Sequence, residues 1–310
     1  MKNNILLDKN FKFTMFWGCT IPYRLPFIES AVRKVFHKLK IDHEDLGFSC
    51  CPDPNGIQAF DFFSWITLGV RNLTLAEEKG NHIVSACNGC FETLKVAHYH
   101  MSKDKILKKQ VNKVLKETTG REWTGKSKVM HLLDFVYEYV NIEELQKQIV
   151  RPLTDFKFST HLGCHYTKPT DIMQTDDPNN PVKLKSIIED LLGARFIPYM
   201  SQNDCCGAGL RSADKELALE MMNRKFEDID KAQPDGVVVI CPTCFNSFDS
   251  QQRLINKKFN RKETVPTYYF FELLALAIGI PEKELGFKFH SIKNKDVFSV
   301  LEENTPIITN

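Results

Sequence analysis

No apolar run in the 310-residue sequence approaches the roughly 18 to 20 residues that a bilayer-crossing helix needs, so no transmembrane helix is expected. The first residues, MKNNILLDKNFKFTMFWGC, offer only Ile5 to Leu7 as an apolar stretch before Asp8 and Lys9 interrupt it. That is too short for the core of a secretory leader, and a cytoplasmic location is expected. Excess charge is missing too: the formal net charge is +2, which argues against a nucleic-acid partner or a disordered tail. No Gly-x-Gly-x-x-Gly fingerprint occurs, so a dinucleotide is not expected to bind here.

What the chain does have is cysteine, ten in all. In a reducing compartment they are not a disulfide framework, and a chain of this length does not need one for stability. They fall into two sets with one order: Cys19, Cys50, Cys51, Cys87, Cys90, then Cys164, Cys205, Cys206, Cys241, Cys244. Each set is a single cysteine, a doublet, and a Cys-x-x-Cys pair. The flanks repeat as well. FKFTMFWGC ending at Cys19 parallels FKFSTHLGC ending at Cys164, and NHIVSACNGC parallels GVVVICPTC. VMHLLDFVYEYV near 129–140 parallels TYYFFELLALAIG near 267–279. Such spacing is what a duplicated unit with loop insertions leaves behind.

The runs that close on cysteine are short, apolar and β-branched, hence strand-like. Between the repeated runs lie segments of helical periodicity: Phe27 to Lys40, Phe60 to Lys79, Phe91 to Glu117, Val182 to Leu192 and Lys215 to Lys231. Strand alternating with helix predicts an α/β fold of two homologous Rossmann-like domains, each with a small, mostly parallel sheet. The first is expected over 1–150 with a short N-terminal extension, the second over 151–310 with a C-terminal tail. The join is placed at Gln148 to Thr154. The Lys-rich stretch at 102–117 reads as a solvated helix face.

Ligands gather at the carboxyl ends of parallel strands, where Cys19, Cys87, Cys164 and Cys241 are predicted to stand. The Cys-x-x-Cys pairs are expected at helix starts, whose free N–H groups favour thiolates. Gly207 and Gly209 after the second doublet permit a backbone that wraps a bulky group, whereas Pro52 and Pro54 stiffen the first turn. Adjacent cysteine side chains point apart on any regular backbone, so a doublet asks for an acceptor larger than one ion. Zinc is the structural rival, since Cys-x-x-Cys is half of a four-thiolate site, but a closed zinc shell leaves the fifth cysteine idle. A thioredoxin-like use of the Cys-x-x-Cys pair leaves the doublets unexplained.

The compound pattern, from about Cys19 to Gly279, resembles the cysteine-rich CCG domain family, and within it the B subunits of archaeal CoB-CoM heterodisulfide reductase, which are two such repeats with no fused ferredoxin module. SCCPDP departs from the usual Cys-Cys-Gly form. The resemblance implies two domains related by a pseudo-two-fold axis and two noncubane 4Fe-4S clusters, one held by Cys19, Cys50, Cys51, Cys87 and Cys90, the other by Cys164, Cys205, Cys206, Cys241 and Cys244. It implies a methanogenesis-type reaction, the two-electron reduction of the mixed disulfide CoM-S-S-CoB to coenzyme M and coenzyme B thiols, with one electron from each cluster. Implied partners are the ferredoxin-like and flavin-containing subunits of heterodisulfide reductase, with a hydrogenase or formate dehydrogenase behind them. A non-catalytic electron-transfer subunit serving quinone or another acceptor is the alternative.

A substrate with sulfonate, phosphate and carboxylate groups needs cationic donors near the cluster rims. Arg24, His165, Lys168 and Arg211 stand just past cluster cysteines and are the candidates. His165 is also the candidate proton donor, with His161 as a second. Tyr23 and Tyr166, at near-equivalent positions, are candidates to flank the disulfide.

Overall fold

Strands that stop just short of cysteines organise both halves of the computed structural model, which describes residues 5–8 and 10–293. In the first half β1 (Phe13–Phe16), β2 (His82–Ser85) and β3 (Val129–His131) form a parallel sheet in the order β1-β2-β3. In the second, β4 (Lys157–His161), β5 (Arg195–Phe196), β6 (Gly236–Val239) and β7 (Thr267–Tyr269) form a parallel sheet in the order β5-β4-β6-β7. The place of β5 is taken in the first half by a lone parallel bridge, Thr14 to Glu44. Every pairing between these seven strands is parallel and reached through a helical crossover, as buried strands with apolar faces require, while a lone antiparallel bridge joins Leu6 to Val140.

The helices carry apolar stripes toward these sheets. Helix Pro26–Leu39 buries Ile28, Ala31, Val32, Val35 and Phe36 on its core side. Helix Phe62–Lys79 is capped by the Asp61 carboxylate, which accepts from Ser64 N, and ends on Gly80. The single helix expected over Phe91 to Glu117 is two, Asn88–Lys103 and Lys105–Thr119. Asp104 breaks them: its backbone is extended, and its side chain accepts from Ile106 N and Leu107 N to start the second helix. That second helix buries only Val111 and Leu115, so its lysines face water as expected. The repeated runs at 129–140 and 267–279 both begin as three-residue strands and turn at once into helices, Leu132–Tyr139 and Phe270–Ala277.

The two sheets share one continuous apolar core. The first half's helix Pro26–Leu39 packs on the second half's Phe270–Ala277, with Phe36 and Phe271 rings edge-on at 5.8 Å. Phe27 meets Phe245 at 5.3 Å. On the other side Lys183 reaches back to Asp134 of helix Leu132–Tyr139, Nζ to Oδ1 2.6 Å. This mutual bracing fixes the two sets of strand ends against each other. Among the described residues no helix is long and apolar enough to cross a membrane.

Candidate iron-sulfur centre

All ten cysteines line one cavity of about 480 Å³ between the two halves. The backbone explains how each arrives. Cys19 caps helix Thr20–Arg24, Cys87 caps Asn88–Lys103, Cys241 caps Pro242–Phe248, and Cys164 opens Cys164–Thr167. β2 and β6 thus deliver their Cys-x-x-Cys pairs to helix starts, and the doublets Cys50–Cys51 and Cys205–Cys206 come from the loops opposite.

The thiols interact in one unbroken series. In the first half Cys19 neighbours Cys50, Cys50 neighbours Cys51, Cys51 neighbours Cys90, and Cys90 neighbours Cys87. Cys87 then meets Cys241 across the halves. From there the second half runs through Cys244, Cys206 and Cys205 to Cys164, with Cys206 to Cys244 and Cys205 to Cys164 both at 3.6 Å. The order on one side mirrors the order on the other, which is a pseudo-two-fold relation centred on the Cys87 and Cys241 sulfurs. Cys19 and Cys50 are exposed and Cys164 and Cys205 half-buried, while the other six are buried. The series is therefore open at its outer ends and closed at its centre.

Crowded thiols repel second charges, and the local donors choose which of them ionise. Cys205 is pulled down to about 2 by the Cys164 and Cys206 thiols, with help from Gly207 N–H, 3.3 Å from its sulfur. Cys51 is held well below the ordinary thiol range by the thiols of Cys50 and Cys90. Cys241 is held low by the thiols of Cys244 and Cys87, then by the N–H groups of Cys244 and Asn88. Cys90 is pushed up by the thiols of Cys51 and Cys87 and by burial, and Cys244 by those of Cys206 and Cys241 and by burial. Ten converging sulfurs, several already disposed to be thiolates, are a donor set for soft metal clusters.

Glycines keep the walls close. Gly18 and Gly163 precede the single cysteines at φ +68° and +78°, and a Cβ on them would stand 2.5 Å from Cys90 Sγ and 2.9 Å from Cys244 Sγ. Gly207 has the left-handed backbone expected of it, at φ +71°. Gly209 has no left-handed backbone, and a Cβ there would lie 2.5 Å from Oδ1 of the exposed Asn55 on the opposite doublet's loop, a side chain free to move aside.

Of the cationic candidates, His165 lines the main cavity, with Nδ1 3.7 Å from the buried Glu92 carboxylate. Burial works against its charge, yet Glu92 outweighs that and raises its pKa. Arg24 and Arg211 line an adjoining cavity of about 390 Å³ that shares Cys19, Thr20 and Thr243 with the first. Lys168 is exposed and lines neither. Tyr23 is exposed at the adjoining cavity. Tyr166 does not flank the site: it is fully buried, and its hydroxyl donates to Asp134 at 2.6 Å. Sequence position made Tyr23 and Tyr166 look equivalent, but only Tyr166 has a buried carboxylate to satisfy. His161 is buried and neutral, lowered to about 3 by burial and then by Lys225. Its Nδ1 faces Gln202 O at 3.3 Å, and its ligand nitrogen lies within 4.8 Å of the sulfurs of Cys206 and Cys244.

Residues that the motifs did not flag lock the halves together beside the cysteines. Asn88 Nδ2 donates to Leu162 O at 2.5 Å, and Tyr269 OH donates to Ala86 O at 2.7 Å. Each lies next to a strand end, and their sequence signal is only that they follow or close the repeated runs.

The chain matches a family model described as a cysteine-rich domain, CCG, twice, over residues 13–95 and 158–249. It is 35% identical over 295 residues to the B subunit of ferredoxin:CoB-CoM heterodisulfide reductase from Methanosarcina mazei, covering 94% of this chain and 97% of that one. It is 28% identical over 282 residues to the 8-methylmenaquinol:fumarate reductase membrane anchor subunit of Wolinella succinogenes, covering 91% and 97%. Among solved structures, a hypothetical protein from Helicobacter pylori superposes with a TM-score of 0.74 at 15% identity, over 93% of this chain and 53% of that one, a likeness of fold alone.

Proposed function

The chain belongs to the cysteine-rich CCG domain family, and from that premise we propose that it is the disulfide-reducing oxidoreductase subunit of a heterodisulfide reductase. The observation that carries this reading is the mirrored series of ten thiols around one cavity. Cys19, Cys50, Cys51, Cys87 and Cys90 would hold one noncubane 4Fe-4S cluster, and Cys164, Cys205, Cys206, Cys241 and Cys244 the other. Five donors per site exceed a closed zinc shell and suit an extended cluster. Once bound, such clusters supply one electron each from either side of an S–S bond.

The protein's own residues bind and orient. The substrate is CoM-S-S-CoB, and its cleavage consumes two electrons and two protons to give two thiols. Arg24 and Arg211 face the cavity that adjoins Cys19 and would hold an anionic arm there, as forked donors suit sulfonate, phosphate or carboxylate. His165, whose protonated form Glu92 favours against burial, stands beside Cys164 and would deliver a proton to a departing thiolate. Cys87 and Cys241 are buried where the two sets meet. Electrons have to arrive from another protein, for which a ferredoxin-like subunit fed by a flavin-containing one is the fitting source.

A second reading, electron exchange with quinone at a membrane surface, is favoured by one feature. Ile57, Phe60, Phe62 and Phe63, just past the first doublet, are exposed, Phe60 by 93%. Addition of CoM-S-S-CoB or of a menaquinone analogue to anaerobically purified, reduced protein separates the two. The first reading expects the disulfide to perturb the paramagnetic signal of the clusters and to be reduced. Indifference to the disulfide together with reaction with quinone would sink it.

A further inference from the structure

The two halves mirror each other in sulfur but not in charge. Behind each doublet a long helix sends one buried polar side chain to the loop that precedes the cysteines. Helices Phe62–Lys79 and Lys215–Ala232 end on left-handed caps, Gly80 and Gln233, and counting back equally from these caps pairs Asn72 with Lys225. Asn72 is fully buried and neutral: its Oδ1 accepts from Ser49 N at 3.0 Å, and its Nδ2 donates to Cys50 O at 3.2 Å. Lys225 is 1% exposed and donates from Nζ to Ser201 O.

The Lys225 ammonium lies 5.4 Å from the centre of the Tyr199 ring and interacts electrostatically with Cys205, Cys206 and Cys244. Burial lowers its pKa to about 8, which leaves it mostly charged at neutral pH. Of the nearby carboxylates, Asp204 acts on it most strongly but is exposed, so water and salt screen it, and Asp228 is half-buried and engaged with Ser201. Exposed carboxylates flank both doublets, Asp53 in the first where the second has Ala208 and Asp204 in the second where the first has Ser49, but of the two Asp53 lines the cavity and Asp204 does not. Arg71 contacts Asn72 Oδ1 at 3.5 Å but is half-exposed, so water and salt screen it.

We propose that the two clusters are unequal electron acceptors, and that the buried ammonium of Lys225 makes the second quintet, Cys164 to Cys244, the site of higher reduction potential. A fixed positive charge in a poorly screened interior favours the reduced, more negative form of a nearby cluster. The first quintet has a neutral amide in that place and a carboxylate at its mouth. Electrons entering the protein would therefore settle first on the second site. The inference rests on the cluster reading above.

The test is a potentiometric titration of the anaerobically purified protein, with iron and sulfide counted in the same samples. Wild type is expected to show two separated midpoints. Lys225→Gln keeps a donor for Ser201 and removes the charge; it should lower the higher midpoint and leave the other in place. Lys225→Arg should leave both near wild type. Asp53→Asn, at the exposed rim, should raise the lower midpoint alone and carries the test if the buried site does not tolerate glutamine. Coincident wild-type midpoints, equal behaviour of the Gln and Arg variants, movement of the lower midpoint on loss of Lys225, or no response to Asp53→Asn overturns the proposal. Wild type that lacks iron and sulfide would instead remove the cluster reading itself.

Discussion

Alanine at Gly18 separates the cluster account from an ordinary packing account. The left-handed backbone at φ +68° alone costs a non-glycine residue about 1–2 kcal/mol. A Cβ would also stand 2.5 Å from Cys90 Sγ, well inside contact distance. A free thiol can swing aside for about 0.5–1.5 kcal/mol of rotamer strain. A sulfur tied to iron cannot. The iron-free variant should then lose about 2–3 kcal/mol in total, while its first site fails to load. Gly80 supplies the control: its φ is +69°, but a Cβ there meets nothing within 4 Å, so alanine carries the backbone cost alone. Gly163→Ala should behave as Gly18→Ala does, on the second site. The assay is iron and acid-labile sulfide per chain after anaerobic reconstitution, beside urea unfolding of the iron-free forms. Gly80→Ala should keep the wild-type iron content, and Gly18→Ala or Gly163→Ala about half of it. Full iron in Gly18→Ala would refute the reasoning.

Substitution of Arg24 or Arg211 by Met should raise KM for the anionic disulfide roughly 10- to 100-fold, the worth of a hydrogen bond to a charged group, with iron content unchanged. An unchanged KM in both would remove the adjoining cavity from substrate binding. Lys183→Met strands the buried Asp134 carboxylate and should cost about 3–5 kcal/mol in urea unfolding, much of it recovered when Asp134 is also made Asn, which is neutral and still accepts from Tyr166. Absence of recovery would count against the ion pair as the cause. His290 Nε2 lies 2.9 Å from the buried Glu272 carboxylate; burial opposes its charge, but Glu272 prevails and raises its pKa. Its stabilisation is then fully present below the unfolded value of about 6.5 and is lost as pH rises through the folded one. His290→Gln should flatten that pH dependence above the unfolded value, and a wild-type slope in the variant would contradict it.

The order of cysteines made the duplication legible, because ligands must sit at fixed places on strand ends and helix starts whatever the loops between them do. Parallel strands and helix-capping Cys87 and Cys241 followed from the same local rules. The pairing of Cys87 with Cys241 did not, since it depends on how two separate sheets pack. The interlock of Phe36 with Phe271 and of Lys183 with Asp134 is equally non-local. Tyr166 shows the cost of reading equivalence from position: a buried carboxylate, invisible in spacing, took its hydroxyl. The break at Asp104 escaped the helical periodicity because a polar cap interrupts a helix without disturbing its apolar stripe. Lys225 and Asn72 are alike in place and opposite in consequence, and only the shared cap geometry of their helices reveals them as counterparts.

The most direct measurement is the metal and acid-labile sulfide content of the protein purified without oxygen. Two quintets each holding a 4Fe-4S cluster predict about eight irons and as many sulfides per chain. Stoichiometric zinc with no sulfide would contradict the account.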